Sequence, residues 1–295
     1  TATADVRVDV PDLPLPEPPQ RIDATPRANR VILGWQSDEP NASRYLVLKR
    51  DAHGKVVQEI YVDADYGHYL QISDQVDPGR AYVYAIAAIA PDGRPGLWSK
   101  EVSIEASREP LRPVLHLRFD SDQFLKGLTQ LAESALVLGG KGWAQLPPQP
   151  EWNPSYSLTL ALWVKLDRLE GMPVLLSKGA WQQSGYFLQI LNRQIRFYLA
   201  GVDTLDAGLL PKGQWAHLAA TYGFGEMRIY VNGEMVGRKR VQGRPRTSDV
   251  PLLIGRYGAN DDAYFVHGMM DDIRIYDVPL TETEIATLYR ETKRK

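Results

Sequence analysis

The chain has 295 residues, 44% hydrophobic and 24% charged, which is an ordinary globular composition with enough length for two domains. Its 34 basic and 36 acidic side chains nearly cancel, and this balance argues against a nucleic-acid partner, whose phosphates usually require a basic face. There is no cysteine, so disulfides, thiolate metal sites and a cysteine nucleophile are excluded.

The first 20 residues are polar or rich in proline and lack the apolar core of a signal peptide. No apolar run in the sequence approaches the roughly 18 residues of a membrane-spanning helix. The sequence begins at Thr1 rather than Met. We therefore expect a processed or trimmed chain, for which removal of a signal peptide is one explanation, and an extracellular or cell-surface location.

Residues 1–20 are predicted to be an N-terminal strand followed by a linker. Residues 2–10 place apolar side chains at every second position, as in a half-buried strand. Residues 11–19 contain five prolines and favour an extended, stiff conformation. Strand 2–10 has two interpretations, an extra edge strand or a donor strand that completes the sheet of a neighbouring subunit.

Residues 21–107 show short β-strand patterns separated by turn signals, with no helical period, and this predicts a β-sandwich. The turn signals include Asp-Pro-Gly at 77–79 and Pro-Asp-Gly at 91–93. The predicted strands are 30–35, 44–50, 56–62, 68–72, 81–90 and 101–105.

This first domain resembles a fibronectin type III domain. Trp35 closes its second strand, segment 45–50 is similar to the third, and the Pro-Gly turn at 78–79 leads to Tyr82 as in the corner tyrosine of that family. The resemblance implies that Trp35 and Tyr82 are core and corner residues and not ligand contacts.

A short linker with two prolines, residues 108–113, precedes a second strand-rich domain, residues 114–291. The sequence Thr-Glu-Thr-Glu at 281–284 is a capping box, and Ile285, Leu288 and Tyr289 share one helical face, so we expect a short docked helix at the C-terminus. The main predicted strands are 157–166, 186–191, 194–200, 215–221, 227–231, 234–238, 252–255 and 272–276.

The second domain resembles the laminin G-like jelly rolls of the concanavalin A-like superfamily, through several segments at matching spacings. The resemblance implies an all-β fold with a jelly roll. The sequence departs from the family in one respect. The family often has a polar, aspartate-containing stretch after its first strand, and the corresponding segment here, 121–131, is shorter and more apolar. The matching segments are 115–120, 134–140, 157–164, 175–179, 215–222, 227–233 and 268–276.

Enzymes on this fold usually hydrolyse glycosidic bonds with two carboxyl groups on one strand, about 5 Å apart. The sequence has no strand with carboxylates at the required alternate positions. The five histidines fall in no metalloprotease or nucleophile motif. We therefore predict a chain that is not an enzyme, and we expect His217 to be a satisfied core histidine.

A structural calcium ion is implied by the resemblance, since jelly rolls of this family often join their first and last strands through one. Asp120 and Asp272 match the carboxylates by motif position, and Asp271 is adjacent. The alternative is that these aspartates bind backbone donors or pair with Arg118 or Arg274.

Sugar binding requires exposed aromatic faces surrounded by polar groups, and two loops, residues 181–186 and 256–264, have that composition. On the predicted strand 194–200, the second strand of a hairpin, Arg196 and Tyr198 are expected to point to opposite sides. Trp163, Trp215 and Tyr230 occupy core positions of the family. The predicted ligand contacts are Trp181, Gln183, Tyr186, Tyr257, Asn260, Asp262 and Tyr264.

Three functions remain open on these observations. The first is a secreted or surface binding module for a carbohydrate or an extracellular protein. The second is a structural subunit of a filament or other assembly in which strand 2–10 pairs with a neighbour, and the third is an accessory region of a polysaccharide-degrading enzyme. A basic run, residues 238–240, favours an anionic glycan but is also typical of a solvated hairpin end.

Overall fold

The chain divides into two units, Thr1–Glu109 and Pro110–Lys295. The predicted strand 2–10, Asp120 and Asn260 lie outside the residues that the structure describes. Within the described part, no helix is both long enough and apolar enough to cross a membrane. The structure is a computed structural model that describes residues 14–119, 125–132, 134–154, 156–258 and 262–294.

The first unit is built from two antiparallel sheets that share one hydrophobic core. One sheet has the order β1-β2-β5, and the other has the order β4-β3-β6-β7 with β8 also paired to β6. The strands are β1 (Ile22–Arg27), β2 (Arg30–Gln36), β3 (Arg44–Asp51), β4 (Val56–Asp63), β5 (Tyr69–Gln75), β6 (Ala81–Ile89), β7 (Pro95–Trp98) and β8 (Val102–Glu105).

Large aromatic side chains fill the core of this unit. Trp35 and Tyr45 are buried and meet edge to face, with ring centroids 5.7 Å apart. Tyr82 is also buried, and its hydroxyl accepts a hydrogen bond from the backbone N–H of Asp77 at 3.2 Å, across the turn that precedes β6. Trp35 and Tyr82 therefore have the structural positions that the sequence predicts.

A buried ion pair, which the sequence does not reveal, joins the two sheets. Lys49 on β3 and Asp74 on β5 are both buried, with Nζ and Oδ2 2.8 Å apart. Tyr84 donates its hydroxyl to the same carboxylate at 2.5 Å, and Lys49 also donates to the carbonyl of Gln75 at 2.7 Å. Burial is costly for an unpaired charge, so this network is stable only while all its members are present.

The second unit contains one large antiparallel sheet and the C-terminal helix α1 (Glu282–Glu291), and the predicted all-β fold is confirmed. Its strands are β9 (Leu115–Leu117), β10 (Leu125–Ala132), β11 (Ala135–Leu146), β12 (Leu158–Leu166), β13 (Val174–Ala180), β14 (Ser184–Leu191), β15 (Gln194–Leu199), β16 (Asp203–Leu209), β17 (Ala216–Gly223), β18 (Glu226–Val231), β19 (Glu234–Arg240), β20 (Leu252–Ile254) and β21 (His267–Tyr276).

The sheet follows the order β16-β15-β14-β13-β20-β11-β21-β12-β17-β18-β19, with β10 paired to β11 and β9 to β21. Its two ends approach each other, because a Cβ placed on Gly237 of β19 would lie 2.2 Å from the Cβ of Ala207 on β16. The sheet therefore wraps around its own apolar core in a jelly roll. The last strand of the chain, β21, lies near the middle of the order.

The C-terminal helix begins with the predicted capping box. Thr281 accepts from the backbone N–H of Glu284, whose carboxylate in turn accepts from the N–H of Thr281. Tyr289 packs its ring 5.7 Å from Trp163 and 6.1 Å from His217, measured between centroids. The helix thus covers two side chains that β12 and β17 present on the face away from the main core.

His217 is buried, as the sequence predicts, but it is not satisfied. In the part of the chain that the structure describes, its Nδ1 has no hydrogen-bond partner. Burial lowers the pKa of this histidine from its usual 6.5 to about 4. The ring therefore stays neutral in the folded protein at pH values where the unfolded chain already binds a proton.

Acidification from pH 6.5 towards pH 4 is expected to destabilise the second unit through His217. The unfolded chain takes up a proton in this window and the folded chain does not, so stability falls by up to about 3 kcal/mol as the pH is lowered. Urea unfolding at several pH values measures the loss. The variant His217→Phe should show a smaller loss in this window.

The matched control is His53→Gln, since His53 is exposed in the first unit. If both variants kept the full acid dependence of the parent protein, another group would be responsible for it.

Candidate functional site

The candidate site lies on the outer face of the hairpin strands β14 and β15, the face that points away from the main core. Phe187 on β14 and Tyr198 on β15 are direct cross-strand neighbours, as are Gln189 and Arg196. The turn between these strands has positive φ at Asn192 and Arg193, as expected for a tight two-residue hairpin. Alternation along both strands therefore places two aromatic rings and two polar groups side by side.

Tyr186 does not belong to this face, and its prediction as a ligand contact is wrong. It precedes Phe187 in β14, so its side chain points to the opposite side and is buried in the main core. Its hydroxyl donates to the carbonyl of Trp152 at 3.0 Å. The aromatic residue that reaches the site from this strand is Phe187.

Trp181 extends the aromatic surface from the turn between β13 and β14. Its ring centroid lies 4.5 Å from that of Tyr198 and 5.7 Å from that of Phe187, while those two rings stack at 4.6 Å. The rings of Phe187 and Tyr198 are buried, but Trp181 remains 41% exposed. An apolar indole face is therefore available to a ligand on a base of packed rings.

Two further tyrosines come from the segment after β20. Tyr257 meets Phe187 edge to face at 6.0 Å, and Tyr264 lies 5.4 Å from Tyr257, again between ring centroids. Both pack against the small apolar cluster formed by the site's inner rings, and their predicted role as ligand contacts stays a prediction.

Arg256 fixes the loop that carries Tyr257. Its buried guanidinium lies over the rings of Trp143 and Phe265, at 4.5 and 5.2 Å, and its Nε donates to the carbonyl of Tyr257 at 2.9 Å. The carbonyl of Arg256 itself accepts from the hydroxyl of Ser177 on β13. Arg256 therefore attaches this loop to the sheet through both its side chain, against Trp143 of β11, and its backbone carbonyl, bonded to Ser177 of β13.

The turn that carries Trp181 is held by the hydroxyls of two tyrosines. The backbone N–H of Trp181 donates to Tyr257, and that of Gln182 donates to Tyr198, both at 2.7 Å. Arg246 also donates to the carbonyl of Gln182 at 3.3 Å. The bond to Tyr257 links the two loops directly, and the bond to Tyr198 ties the turn to β15, so the aromatic surface is organised before any ligand arrives.

An open pocket of about 190 Å³ lies beside the exposed ring of Trp181. Arg196 and Tyr198 lie on the same face, so the expectation that they oppose each other is wrong, because residues two apart in a strand point to the same side. No carboxyl group is among the described residues that line the pocket. The lining residues are Met172, Val174, Trp181, Phe187, Gln189, Leu191, Arg196, Tyr257 and Tyr264.

The remaining predicted contacts do not line this pocket. Gln183 is exposed in the same turn as Trp181, and its carbonyl accepts from Arg246 at 3.4 Å. Asp262 is exposed at the start of a short 3-10 turn, Asp262–Tyr264. Asn260 lies outside the described residues.

The candidate calcium residues form ion pairs in the described part of the chain. Asp272 accepts from both Arg274, at 2.9 and 3.1 Å, and His116, at 2.5 Å, while Asp271 pairs with Arg294. Burial raises the pKa of Asp271. A cation could reach Asp272 only by displacing these groups, so the described donors do not fit calcium. Because Asp120 lies outside the described residues, calcium binding itself stays a prediction.

Comparison with known protein families finds a match for the second unit. Residues 138–286, half of the chain, match the family model described as the concanavalin A-like lectin/glucanases superfamily. The chain belongs to this superfamily. The concanavalin A-like domain carries every residue of the pocket.

Solved structures that match this chain in part include two binding domains and one domain of an arabinanase. The receptor-binding domain of botulinum neurotoxin mosaic serotype C/D is 15% identical, with a TM-score of 0.49, over 61% of this chain and 51% of that chain. The binding domain of Paraclostridial Mosquitocidal Protein 1 is also 15% identical, with a TM-score of 0.49, over 61% of this chain and 52% of that one. This chain therefore spans about half the length of both domains.

Domain 4 of AbnA, a GH43 extracellular arabinanase from Geobacillus stearothermophilus solved with arabinotriose, is 20% identical with a TM-score of 0.43. The match covers 59% of this chain and 85% of that domain. Among curated proteins, none matches the sequence significantly.

Replacement of Arg274 by alanine is expected to destabilise the concanavalin A-like domain by about 2–3 kcal/mol. The change leaves the carboxylate of Asp272, which is largely buried, without its main partner. Chemical unfolding measures the difference, and Arg238→Ala, at an exposed position of β19, is the control. Equal stability of the two variants would contradict the role given to the pair.

Proposed function

We propose that the chain is a non-catalytic binding module, and that its concanavalin A-like domain recognises a carbohydrate on the pocket around Trp181. The observation that carries the proposal is the partly exposed indole on a preorganised aromatic base. An aromatic ring covers the C–H face of a sugar, while neighbouring polar groups bind its hydroxyls.

The polar groups needed for this mode are present beside the rings. Gln189 and Arg196 line the same pocket, and Arg196 lies 5.9 Å from the centroid of the Trp181 ring. Since the two loops are fixed by hydrogen bonds, ligand binding would order few additional side chains. This lowers the entropic cost of association.

The chemistry of the pocket favours binding over hydrolysis. Cleavage of a glycosidic bond requires two carboxyl groups on either side of the scissile bond. Gln189, Arg196 and two tyrosines are the lining side chains with hydrogen-bonding groups, apart from the indole of Trp181. These groups can orient a sugar, but none is a carboxylic acid that protonates a leaving group.

For the first unit we propose a fibronectin type III-like spacer. The arrangement of three strands facing five, with Trp35 in the core and Tyr82 bonded at the corner, supports this relationship. An extracellular or cell-surface location is part of the same proposal.

The alternative role of strand 2–10 in assembly stays a prediction. Size-exclusion chromatography with and without residues 1–19 tests it, because a donor strand would be needed for any polymer to form.

Replacement of Trp181 by alanine is expected to weaken carbohydrate binding about tenfold or more, since the stacking face is lost. A broad glycan array first identifies bound glycans, and calorimetry with those glycans then measures the affinity of each variant. The matched control is Trp98→Ala, because Trp98 is 42% exposed in the first unit, almost the same as Trp181.

Retained binding by the Trp181 variant, or equal losses in both variants, would contradict the assignment of the pocket. If the unmodified protein binds no glycan on the array, the carbohydrate itself is excluded, and an extracellular protein ligand becomes the better hypothesis.

A further inference from the structure

Arg196 is the one charged side chain among the described residues that line the pocket. It is held by Asp206, its cross-strand neighbour on β16. Its Nε and Nη2 donate to the two carboxylate oxygens at 2.7 and 2.6 Å, respectively. This is a two-pronged ion pair, in which a planar guanidinium matches a planar carboxylate.

The pair neutralises the charge of Arg196 within the described lining of the pocket. An anionic ligand would meet no net positive charge, and it would compete with Asp206 for the same N–H groups. It would also lose hydration on entering a site with a mainly apolar lining, and the described lining residues include no second cation to compensate that loss.

The guanidinium still has donors for a neutral ligand. Of its five N–H groups, the pairing with Asp206 uses two, so three remain. Asp206 fixes their direction, close to the indole face of Trp181. A sugar that stacks on Trp181 would present hydroxyl oxygens to these donors.

The size of the pocket limits how much of a ligand it contains. Sites that enclose drug-sized molecules are roughly 300–1,000 Å³. The volume of about 190 Å³ here is smaller, which suits a single sugar ring.

We propose that Asp206 is a specificity-determining residue that restricts the pocket to a neutral sugar ring, through its ion pair with Arg196. The inference rests on the proposed carbohydrate-binding function and names the ligand class of that site. Of the two interpretations of the basic run at 238–240, it favours the solvated hairpin end over an attraction for anionic glycans.

The test replaces Asp206 by asparagine, which keeps the shape of the side chain and removes its charge. Both proteins are applied to an array of neutral and uronic acid-containing glycans at about 150 mM and about 500 mM NaCl, where added salt weakens exposed ionic contacts. We expect the unmodified protein to bind neutral glycans with little salt dependence. In Asp206→Asn, binding to neutral glycans should fall several-fold, and salt-sensitive binding to uronic acids should appear.

Two further variants keep the result interpretable. Asp203→Asn is the matched control, because Asp203 lies on the same strand and pairs with Lys239 at 2.7 Å, so the overall charge changes equally. The double variant Arg196→Gln/Asp206→Asn should lose any gained binding to uronic acids, and thermal unfolding checks that each variant folds.

Salt-sensitive binding of uronic acids by the unmodified protein would overturn the inference and leave the carbohydrate-binding function intact. So would an equal gain in Asp203→Asn, or unchanged selectivity in a folded Asp206→Asn. Absence of all glycan binding by the unmodified protein would overturn the proposed function, and the inference with it.

Discussion

Alternation of side chains along β14 and β15 is the constraint on which the candidate site depends. Each of these strands has one face in the main core, so its second face must point outwards. Tyr186, Leu188 and Ile190 complete the core from β14, and this leaves Phe187 and Gln189 on the outside. A shift of pairing by one residue would exchange the two sets. The register that buries the core is therefore also the register that builds the pocket.

The loops add what the sheet alone cannot provide. The sheet offers a floor of buried rings, whereas the exposed ring of Trp181 comes from a turn and the two outer tyrosines from a separate loop. Hydroxyl groups of Tyr198 and Tyr257 bind the backbone of that turn, so the same aromatic side chains both form the surface and fix its neighbours. Because these two tyrosines connect the sheet, the turn and the loop, the three separate segments form one rigid surface.

The fold was largely predictable from the sequence, but the site was only partly so. Period-two patterns and the capping box predict most strands and α1, because these are local signals. Trp181, Tyr257 and Tyr264 were identified from loop composition. Phe187 was missed because it lies in a strand that is apolar on both faces, where composition does not show which face is exposed.

Asp206 was missed for a different reason. Strand β16 has weak alternation, and its position beside β15 follows from long-range pairing and not from a local motif. Conversely, Asp271 and Asp272 match a family pattern for calcium ligands, but each forms an ion pair with an arginine. Arg294 pairs with Asp271, and Arg274 of β21 pairs with Asp272. A motif gives the residue types, whereas the partners of a charge are decided by tertiary structure.

The position of β21 has a consequence for synthesis of the chain on the ribosome. This strand is the last to be made, yet it lies between β11 and β12, which precede it by more than a hundred residues. Until it emerges, the nascent second unit holds two unpaired strand edges that can pair with other chains. Closure of this unit therefore waits until β21 has been synthesised, whereas the residues of the first unit, up to residue 109, are made much earlier and can fold before then.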